Sequence, residues 1–219
     1  MTTMSTTTIE PFKTLSSSII SDALDRAGVQ GTIEGIATVV PGKVMCGPAF
    51  TVRYVLHGPE GGRYADFLDE VPADSVVAID NAGRMDCSVW GDTLTLFAVM
   101  NRFAGAVIDG VCRDIDGTRE HGFPMFARGV FMRTGKGRVV IDSLQGPITL
   151  GKVVVRPGDL LFGDETGVVA IPADRTDEIL ALAQQTVRKD ETVAASIRSG
   201  ASLIDSWRAG ALALSAPRK

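Results

Sequence analysis

The chain of 219 residues is 45% hydrophobic and carries a formal net charge of −4 at pH 7. This length suits a single domain with a sizeable core, and an acidic balance without any basic run argues against nucleic acid as a partner. No apolar stretch reaches the length of a membrane span, and three cysteines without zinc-ligand spacing fit a reducing, cytoplasmic compartment.

The first part of the chain predicts a lead, a helix and a β-rich stretch. Residues 1–10 are rich in Thr and Ser and lack the apolar core of a secretory signal, so we expect a disordered lead before one domain over residues 11–219. A helix is predicted over residues 16–27. A strand follows over residues 44–53, where a Gly-Pro pair indicates a bulge or bend. The glycine-rich segment 57–62 is predicted to be a loop.

The middle of the chain predicts a strand, a helix and a second strand. Residues 74–80 are a short apolar run between polar residues, and residues 81–84 break it. A helix is expected to start at Asp92, and because its apolar residues coat two faces, we predict that it is sandwiched between layers. Residues 105–110 are the second buried strand. The unit is therefore predicted to be a right-handed crossover between parallel strands.

Four charged residues are expected to meet at one edge of this unit. The helix runs antiparallel to both strands, so its N-terminus lies at the same edge as the carboxyl ends of the strands. Asp80, Asp92, Arg113 and Asp114 should therefore converge there. Open α/β sheets bind ligands at this edge, because free backbone N–H groups at the helix start attract anions.

The remaining elements complete a layered α/β fold. A helix over residues 116–121 and a further parallel strand over residues 123–128 are expected. The β segments after them lack intervening helices and should form a second, more antiparallel sheet: residues 138–142, 148–155, 160–163 and 167–171. A long polar helix over residues 173–200, followed by residues 203–207, is predicted to form a C-terminal arm on the domain edge or against a neighbouring subunit.

The pair Arg113 and Asp114 is the strongest candidate for chemistry, and two interpretations stay open. An arginine at the end of a buried strand suits capture of a carboxylate, and an adjacent acid can hold a divalent cation. The alternative is a surface salt bridge with Asp114 as a helix N-cap. Asp92 either orients Arg113, binds water or caps its helix. Cys112, beside Arg113, is interpreted as a packing residue, and Ser88 lacks a nucleophile elbow.

At these residues the sequence resembles the family of RraA-like proteins, named after a regulator of ribonuclease activity, and class II 4-hydroxy-4-methyl-2-oxoglutarate/4-carboxy-4-hydroxy-2-oxoadipate aldolases. The similarity covers nearly the whole chain. Its most specific part is an acid, twenty residues and an Arg-Asp pair, at Asp92, Arg113 and Asp114. The other matching segments are SDALDR at 21–26, GPAFTVR at 47–53, FPMFARG at 123–129, PGD at 157–159 and GVVAIP at 167–172.

The resemblance implies a swivelling β/β/α fold and roles for the site residues. Asp114 would hold Mg²⁺ or Mn²⁺, Arg113 would contact a 2-oxo acid, and Asp92 would support Arg113 or the metal's waters. The helix start would hold the pyruvyl carboxylate through the residues at its first turn: Gly91 and the backbone N–H groups of Thr93 and Leu94.

The resemblance also implies an assembly and an activity. The family forms trimers or paired trimers with the site between subunits, and Asp190 or Glu191 is the candidate for a carboxylate supplied by a neighbour. The expected function is a divalent-metal-dependent carbon–carbon lyase that releases pyruvate from 2-oxo acids through a metal-stabilised enolate, with oxaloacetate decarboxylation. The alternative is a non-catalytic RraA-like regulator that binds a ribonuclease or another protein. The segment 57–62 departs from the aldolases' usual sequence.

Overall fold

A computed structural model describes residues 9–57 and 62–215, with side chains as far as residue 212. Most of the predicted lead and of the loop at 57–62 lies outside the described residues. Two residues of the lead differ from the prediction: Ile9 is buried, and a 3₁₀ helix begins at Glu10.

Five α-helices and eleven strands form the described part of the chain. The helices are α1 (Ser17–Arg26), α2 (Asp92–Met100), α3 (Ile115–Glu120), α4 (Thr176–Arg198) and α5 (Leu203–Ser215). The strands are β1 (Thr32–Ile33), β2 (Ala37–Thr38), β3 (Met45–Leu56), β4 (Val76–Ser88), β5 (Gly105–Cys112), β6 (Met125–Val130), β7 (Val139–Leu144), β8 (Ile148–Leu150), β9 (Val153–Val155), β10 (Leu160–Gly163) and β11 (Val168–Ile171).

Two sheets share the long strand β3, which confirms the predicted pairing of a parallel with a more antiparallel sheet. Strands β3, β4, β5 and β6 run parallel in that order. The first residues of β3 instead pair with β10, and β10 continues through β11 to β1, all antiparallel. Two of the predicted antiparallel segments lie elsewhere: β7 pairs with the later part of β3, and β8 with β9 forms a separate two-stranded sheet.

Of the bulge or bend expected at the Gly-Pro pair of β3, the bulge is wrong. Pro48 pairs in regular register with Leu160, and the register shift lies between Arg53 and Tyr54 instead. Gly47 has a different reason to be glycine, because an added Cβ would lie 2.5 Å from the carbonyl oxygen of Asp74. The pair thus marks a close backbone approach, at the point where β3 changes partners.

The predicted parallel pairing of β4 and β5, with α2 between them in the chain, is confirmed, but β4 is longer than expected. Instead of ending near Asp80, it continues to Ser88 around an irregularity at which Ala82 and Gly83 adopt positive φ. The break predicted at residues 81–84 is therefore a bulge within one strand. This lengthening carries the carboxyl end of β4 away from Asp80.

Helix α2 is not sandwiched, contrary to the prediction. Its inner side buries Thr95 and Ala98, whereas Leu96 is 48% and Met100 is 74% exposed. A helix with apolar residues on two faces is as compatible with an exposed apolar surface as with a second covering layer, so periodicity alone does not decide.

The core covers both faces of the parallel sheet. Val77 and Ile79 of β4 pack on the side of α2, while Val76 and Ala78 point to the opposite side, where β8 and β9 pack. This alternation explains why β4 begins as a continuous apolar run rather than a polar-apolar alternation. A third cluster joins the antiparallel sheet to α1 and α4.

The C-terminal helices form a hairpin on the antiparallel sheet. The predicted long helix is present as α4, and it contributes to the core through Ile179 and Ala183, although its polar sequence suggested an edge element. Helix α5 packs back on α4 through Ser206 and Gly210, and it leaves Trp207 57% exposed. None of the helices in the described part of the chain is long and apolar enough to span a membrane.

The carboxylate of Asp164 joins helix α1 to the turn between β10 and β11. It accepts hydrogen bonds from the backbone N–H and hydroxyl of Ser17, at 2.8 and 2.6 Å, and from the N–H groups of Thr166 and Gly167. Partial burial acts to raise the pKa of Asp164, but the hydrogen bonds from Ser17 and the turn outweigh it. The pKa therefore lies below the ordinary value of 3.8.

We expect Asp164→Asn to lower the free energy of unfolding by about 1–3 kcal/mol at neutral pH, because buried donors lose a charged acceptor. A lowered folded-state pKa stabilises the fold above the unfolded value and stops doing so as pH falls through the folded value. The difference between wild type and variant should therefore shrink below pH 3.8. Urea unfolding across pH measures it, with the exposed Asp22→Asn as control. A difference independent of pH would contradict this.

Candidate functional site

The start of helix α2 and the end of strand β5 lie together, as predicted. The backbone N–H of Arg113 donates to the carbonyl of Trp90 at 2.9 Å, which ties the residue after β5 to the loop before α2. Gly91 is the N-cap of α2 and Asp92 its first residue, while Asp114 is the N-cap of α3. The chain thus places two helix starts and an Arg-Asp pair at one edge.

The charged side chains meet closely at this edge. Arg113 Nε lies 3.3 Å from Asp114 Oδ2, and the two side chains are 41% and 38% exposed. The backbone N–H of Asp92 points at the same oxygen from 3.5 Å. Asp114 Oδ1 has no hydrogen bond or ion pair within residues 9–57 and 62–215. One carboxylate oxygen therefore faces the guanidinium, and the other is open to solvent.

Asp114 adopts an unusual backbone conformation. Its φ of 56° and ψ of 46° place it in the left-handed region, which costs a residue with a Cβ about 1–2 kcal/mol. Although it occupies the N-cap position of α3, its side chain makes no capping hydrogen bond. Asp114 is thus the N-cap residue of α3 by position, as the alternative interpretation predicted, but its side chain pairs with Arg113 instead of capping the helix.

Gly91 leaves the space that the carboxylate of Asp114 fills. An added Cβ at Gly91 would lie 2.6 Å from Asp114 Oδ2 and 3.3 Å from Arg113 Nε. The backbone of Gly91 is extended, a conformation open to any residue. Space around the Arg-Asp pair, rather than backbone freedom, is therefore what this position requires.

The first turn of α2 offers one open donor. The carboxylate of Asp92 accepts the N–H of Thr93 at 2.7 Å, and no hydrogen bond or ion pair joins it to Arg113 within the described residues. Asp92 is the first helical residue, so its interpretation as N-cap is wrong. The N–H of Leu94 meets no acceptor in the same part of the chain. That N–H and the Arg113 guanidinium are suited to binding an anion.

A buried polar seam that we did not predict holds this edge together. The Trp90 indole N–H donates to the hydroxyl of Thr95 at 3.0 Å, and its ring stacks on Phe123. The hydroxyls of Thr95 and Thr118 lie 3.2 Å apart, which joins α2 to α3. Ser88 donates its hydroxyl to the Trp90 carbonyl, so it is a structural residue. The sequence signal was a tryptophan two residues before the first residue of a helix.

A cleft of about 340 Å³ opens beside the Arg-Asp pair. Apolar side chains form its other wall: Ile115, Val130, Phe131 and Met132. Behind Arg113 lies Tyr64, whose hydroxyl donates to the Ser88 carbonyl at 3.1 Å. Burial raises the pKa of Tyr64, and the Arg113 charge acts against that rise. Tyr64 was not predicted, because it lies 49 residues before Arg113 and belongs to no motif.

Asp80 does not join the site, contrary to the prediction. Its carboxylate accepts the N–H groups of Ala82 and Thr149, so it holds the bulge of β4 and the β8 strand. The physical reason is that β4 runs on to Ser88 and ends eight residues beyond Asp80. Asp190 and Glu191 are exposed on α4, which packs on α1 and α5. Their reach to a neighbouring subunit stays a prediction.

Cys112 is a packing residue, and both histidines lie at the surface. Cys112 is buried, and burial raises its pKa to about 12, which confirms a packing role. His57 and His121 are exposed. The described residues contain no group of three or more His, Cys, Asp or Glu side chains that could hold a metal ion. Any cation at this edge would therefore depend on one or two carboxylates with waters or substrate.

Comparison with known proteins identifies the family. The pattern that defines the RraA-like family (Aldolase/RraA) matches residues 17–170, so the chain belongs to this family. It is 33% identical over 183 residues to a Halalkalibacterium halodurans protein named "Putative 4-hydroxy-4-methyl-2-oxoglutarate aldolase", covering 84% of this chain and 85% of that protein. It is 37% identical over 187 residues to Protein DlpA of Legionella pneumophila. That match covers 84% of this chain but only 30% of DlpA.

Solved structures share the fold. An uncharacterized protein from Pseudomonas syringae superimposes with a TM-score of 0.87 at 35% identity, over 94% of this chain and 99% of that one. Streptomyces coelicolor RraAS2, described as an unusual member of the RNase ES inhibitor RraA protein family, gives a TM-score of 0.80 at 24% identity. It covers 87% of this chain and 97% of RraAS2. The mixed α/β fold with parallel and antiparallel sheets is therefore shared with both of these solved structures.

The left-handed backbone of Asp114 predicts a stability difference between two substitutions. Both Asp114→Gly and Asp114→Ala remove the carboxylate, but only alanine keeps a Cβ in the unfavourable conformation. The glycine variant should be more stable by about 1 kcal/mol. Urea unfolding measures the difference.

The matched control is Asp116, which lies in the first turn of α3 and is fully exposed. There the order should reverse, since glycine in a helix is about 1 kcal/mol less favourable than alanine. If the alanine variant is the more stable one at both positions, the backbone of Asp114 is not strained.

Proposed function

We propose that this protein is a divalent-metal-dependent carbon–carbon lyase that acts on 2-oxo acids and releases pyruvate. The cleavage would be of the 4-hydroxy-4-methyl-2-oxoglutarate type, with oxaloacetate decarboxylation as a second reaction through the same enolate. The observation that carries the proposal is the pairing of Arg113 and Asp114 at an open cleft, 3.3 Å apart and beside an open helix start. The aldolase name of the relative from H. halodurans supports it.

The residues at the edge fit a hard divalent cation. Mg²⁺ and Mn²⁺ prefer carboxylate oxygens, and Mg²⁺ commonly binds through one or two carboxylates while it keeps several waters. Asp114 Oδ1 is an open carboxylate oxygen of this kind, and Asp92, whose backbone N–H lies 3.5 Å from Asp114 Oδ2, is a second acid at the start of α2. When bound, such a cation supplies Lewis-acid polarisation of the substrate's oxo group. Asp114 is therefore our proposed ligand, with Asp92 as support for its waters.

Arg113 and the helix start would bind the 2-oxo acid end of the substrate. The guanidinium offers paired donors to a carboxylate or oxo oxygen, and the Leu94 N–H adds a donor at the positive end of α2. The Thr93 N–H becomes available only when the Asp92 carboxylate turns away from it. Gly91 keeps the space open. As the carbon–carbon bond breaks, negative charge develops on the oxo oxygen, and fixed donors stabilise it.

The assembly is also part of the proposal. We propose a homotrimer or hexamer in which Asp190 or Glu191 of one subunit supplies a further carboxylate to a neighbour's site. Both are exposed, and so are the apolar side chains Leu96 and Met100 of α2 and Met132 of the cleft. A contiguous exposed apolar surface marks a protein interface, and we propose that these side chains contribute to one.

A non-catalytic regulator that binds a ribonuclease or another protein is the second candidate. The exposed apolar residues Leu203, Ile204 and Trp207 of α5 favour it, because such a surface suits a protein partner. The open Arg-Asp pair favours the lyase, since a binding surface does not require a strained aspartate beside an arginine. A captured protein partner together with no turnover of any 2-oxo acid would establish the regulator.

We expect Asp114→Asn to lower kcat/KM for pyruvate release by about 100-fold or more, because the amide lacks the charge that holds the cation. Chelation of divalent metal should abolish wild-type activity, and added Mg²⁺ or Mn²⁺ should restore it. A coupled lactate dehydrogenase assay with oxaloacetate and 4-hydroxy-4-methyl-2-oxoglutarate measures both. Asp22→Asn, an exposed acid on α1, is the control and should retain full activity. Activity that survives both Asp114→Asn and chelation refutes the proposal.

Gly91→Ala tests whether the space around Asp114 matters. The methyl group would displace the carboxylate that lies 2.6 Å away, and a displacement near 1 Å costs about 100-fold in rate. Because the backbone is extended, stability should change by less than about 1 kcal/mol. Gly167→Ala, where nothing lies within 4 Å, is the matched control for both quantities. Equal activity of the two variants would show that Asp114 tolerates the displacement.

A further inference from the structure

A second cleft adjoins the first along helix α3. It has a volume of about 440 Å³ and shares Ile115 and Val130 with the cleft of Arg113 and Asp114. Its wall includes Arg119, the one charged side chain among the residues that line it in the described part of the chain. An apolar ridge thus separates an Arg-Asp pair on one side from a lone cationic group on the other.

The guanidinium of Arg119 is weakly engaged. Its ion pair within the described residues joins it to Asp116 at 3.8 Å, and Asp116 is fully exposed. An exposed pair at that distance contributes little, because water screens both charges. Arg119 is 57% exposed at its side chain, so it can turn toward an anion in the cleft without losing a buried contact.

The spacing along α3 suits a short substrate with a charged group at each end. Arg119 lies four residues after Ile115, a rise of about 6 Å. A substrate held by Arg113 would run past Ile115 and Val130, which offer apolar contact to its central carbons, and would end near Arg119. Arginine recognises a carboxylate through paired donors, so the end that it selects is anionic.

We propose that Arg119 binds the distal carboxylate of a 2-oxo diacid whose oxo-acid end is held at Arg113. This inference rests on the proposed function and deepens it, because 4-hydroxy-4-methyl-2-oxoglutarate and oxaloacetate both carry a second carboxylate, and the inference assigns the residue that recognises it. Arg119 is then the residue that determines specificity, while Arg113 and Asp114 act on the reacting end.

Two unreactive ligands measure the contribution of the distal carboxylate to binding. The five-carbon acids 2-oxoglutarate and 2-oxopentanoate differ only in a carboxylate against a methyl group at the far end, and neither has the hydroxyl that retro-aldol cleavage needs. In the presence of Mg²⁺, isothermal titration calorimetry should show that wild-type protein binds 2-oxoglutarate at least about 10-fold more tightly than 2-oxopentanoate, as expected for a charge-assisted contact.

Arg119→Gln should reduce this preference to within about twofold and leave the affinity for 2-oxopentanoate unchanged, while Arg119→Lys should restore part of it. The matched control is Arg208→Gln, because Arg208 also forms an exposed pair with an acid three residues before it but lies on α5. It should keep the full preference.

The outcomes separate this inference from the proposed function. Wild-type protein that releases pyruvate from oxaloacetate but shows no preference for 2-oxoglutarate would overturn the role of Arg119 alone. Equal weakening of the binding of both acids by Arg119→Gln would also overturn it, because it would indicate a structural role for Arg119. Wild-type protein that binds neither acid and releases no pyruvate would overturn the proposed function and this inference with it.

Discussion

The hydrogen bond between the Arg113 N–H and the Trp90 carbonyl is the contact on which the site depends. It joins the residue after a fully buried parallel strand to the loop residue that precedes the N-cap of α2, so the two ends cannot move independently. Trp90 is itself fixed by its indole bond to Thr95 and by stacking on Phe123. A large, buried and hydrogen-bonded aromatic residue gives this edge a rigid base on which exposed charges can be held.

The same base explains how Asp114 tolerates its backbone. Its carbonyl accepts the hydroxyl and the N–H of Thr118 at 3.3 Å, and the Thr118 hydroxyl also lies near Thr95. These contacts fix the residue from the helix side, while the space at Gly91 receives its carboxylate. A strained conformation persists only where its surroundings determine it. Here it turns the side chain away from capping α3 and toward Arg113.

Local patterns predicted the crossover of β4, α2 and β5 and the meeting of Asp92, Arg113 and Asp114. A helix and a returning strand of similar length bring the start of the helix and the carboxyl end of the strand to the same edge of the sheet. Local patterns failed for Asp80, since a bulge inside a strand looks like a turn between strands when only neighbouring residues are considered. They also failed for the exposed side of α2. The Trp90, Thr95 and Thr118 seam depends on contacts between distant segments, and periodicity carries no information about those.

The exposure of the charged pair sets a condition on the proposed chemistry. Arg113 and Asp114 are each about 40% exposed, and water at that exposure screens the charges that would stabilise a developing enolate. The wall opposite them ends in Met132, which is 76% exposed. A protein surface that covers this apolar rim would exclude water and so strengthen the electrostatic interactions of both charges. A second subunit that covers the rim would therefore raise the catalytic power of groups that it does not touch, which links the proposed assembly to the proposed reaction.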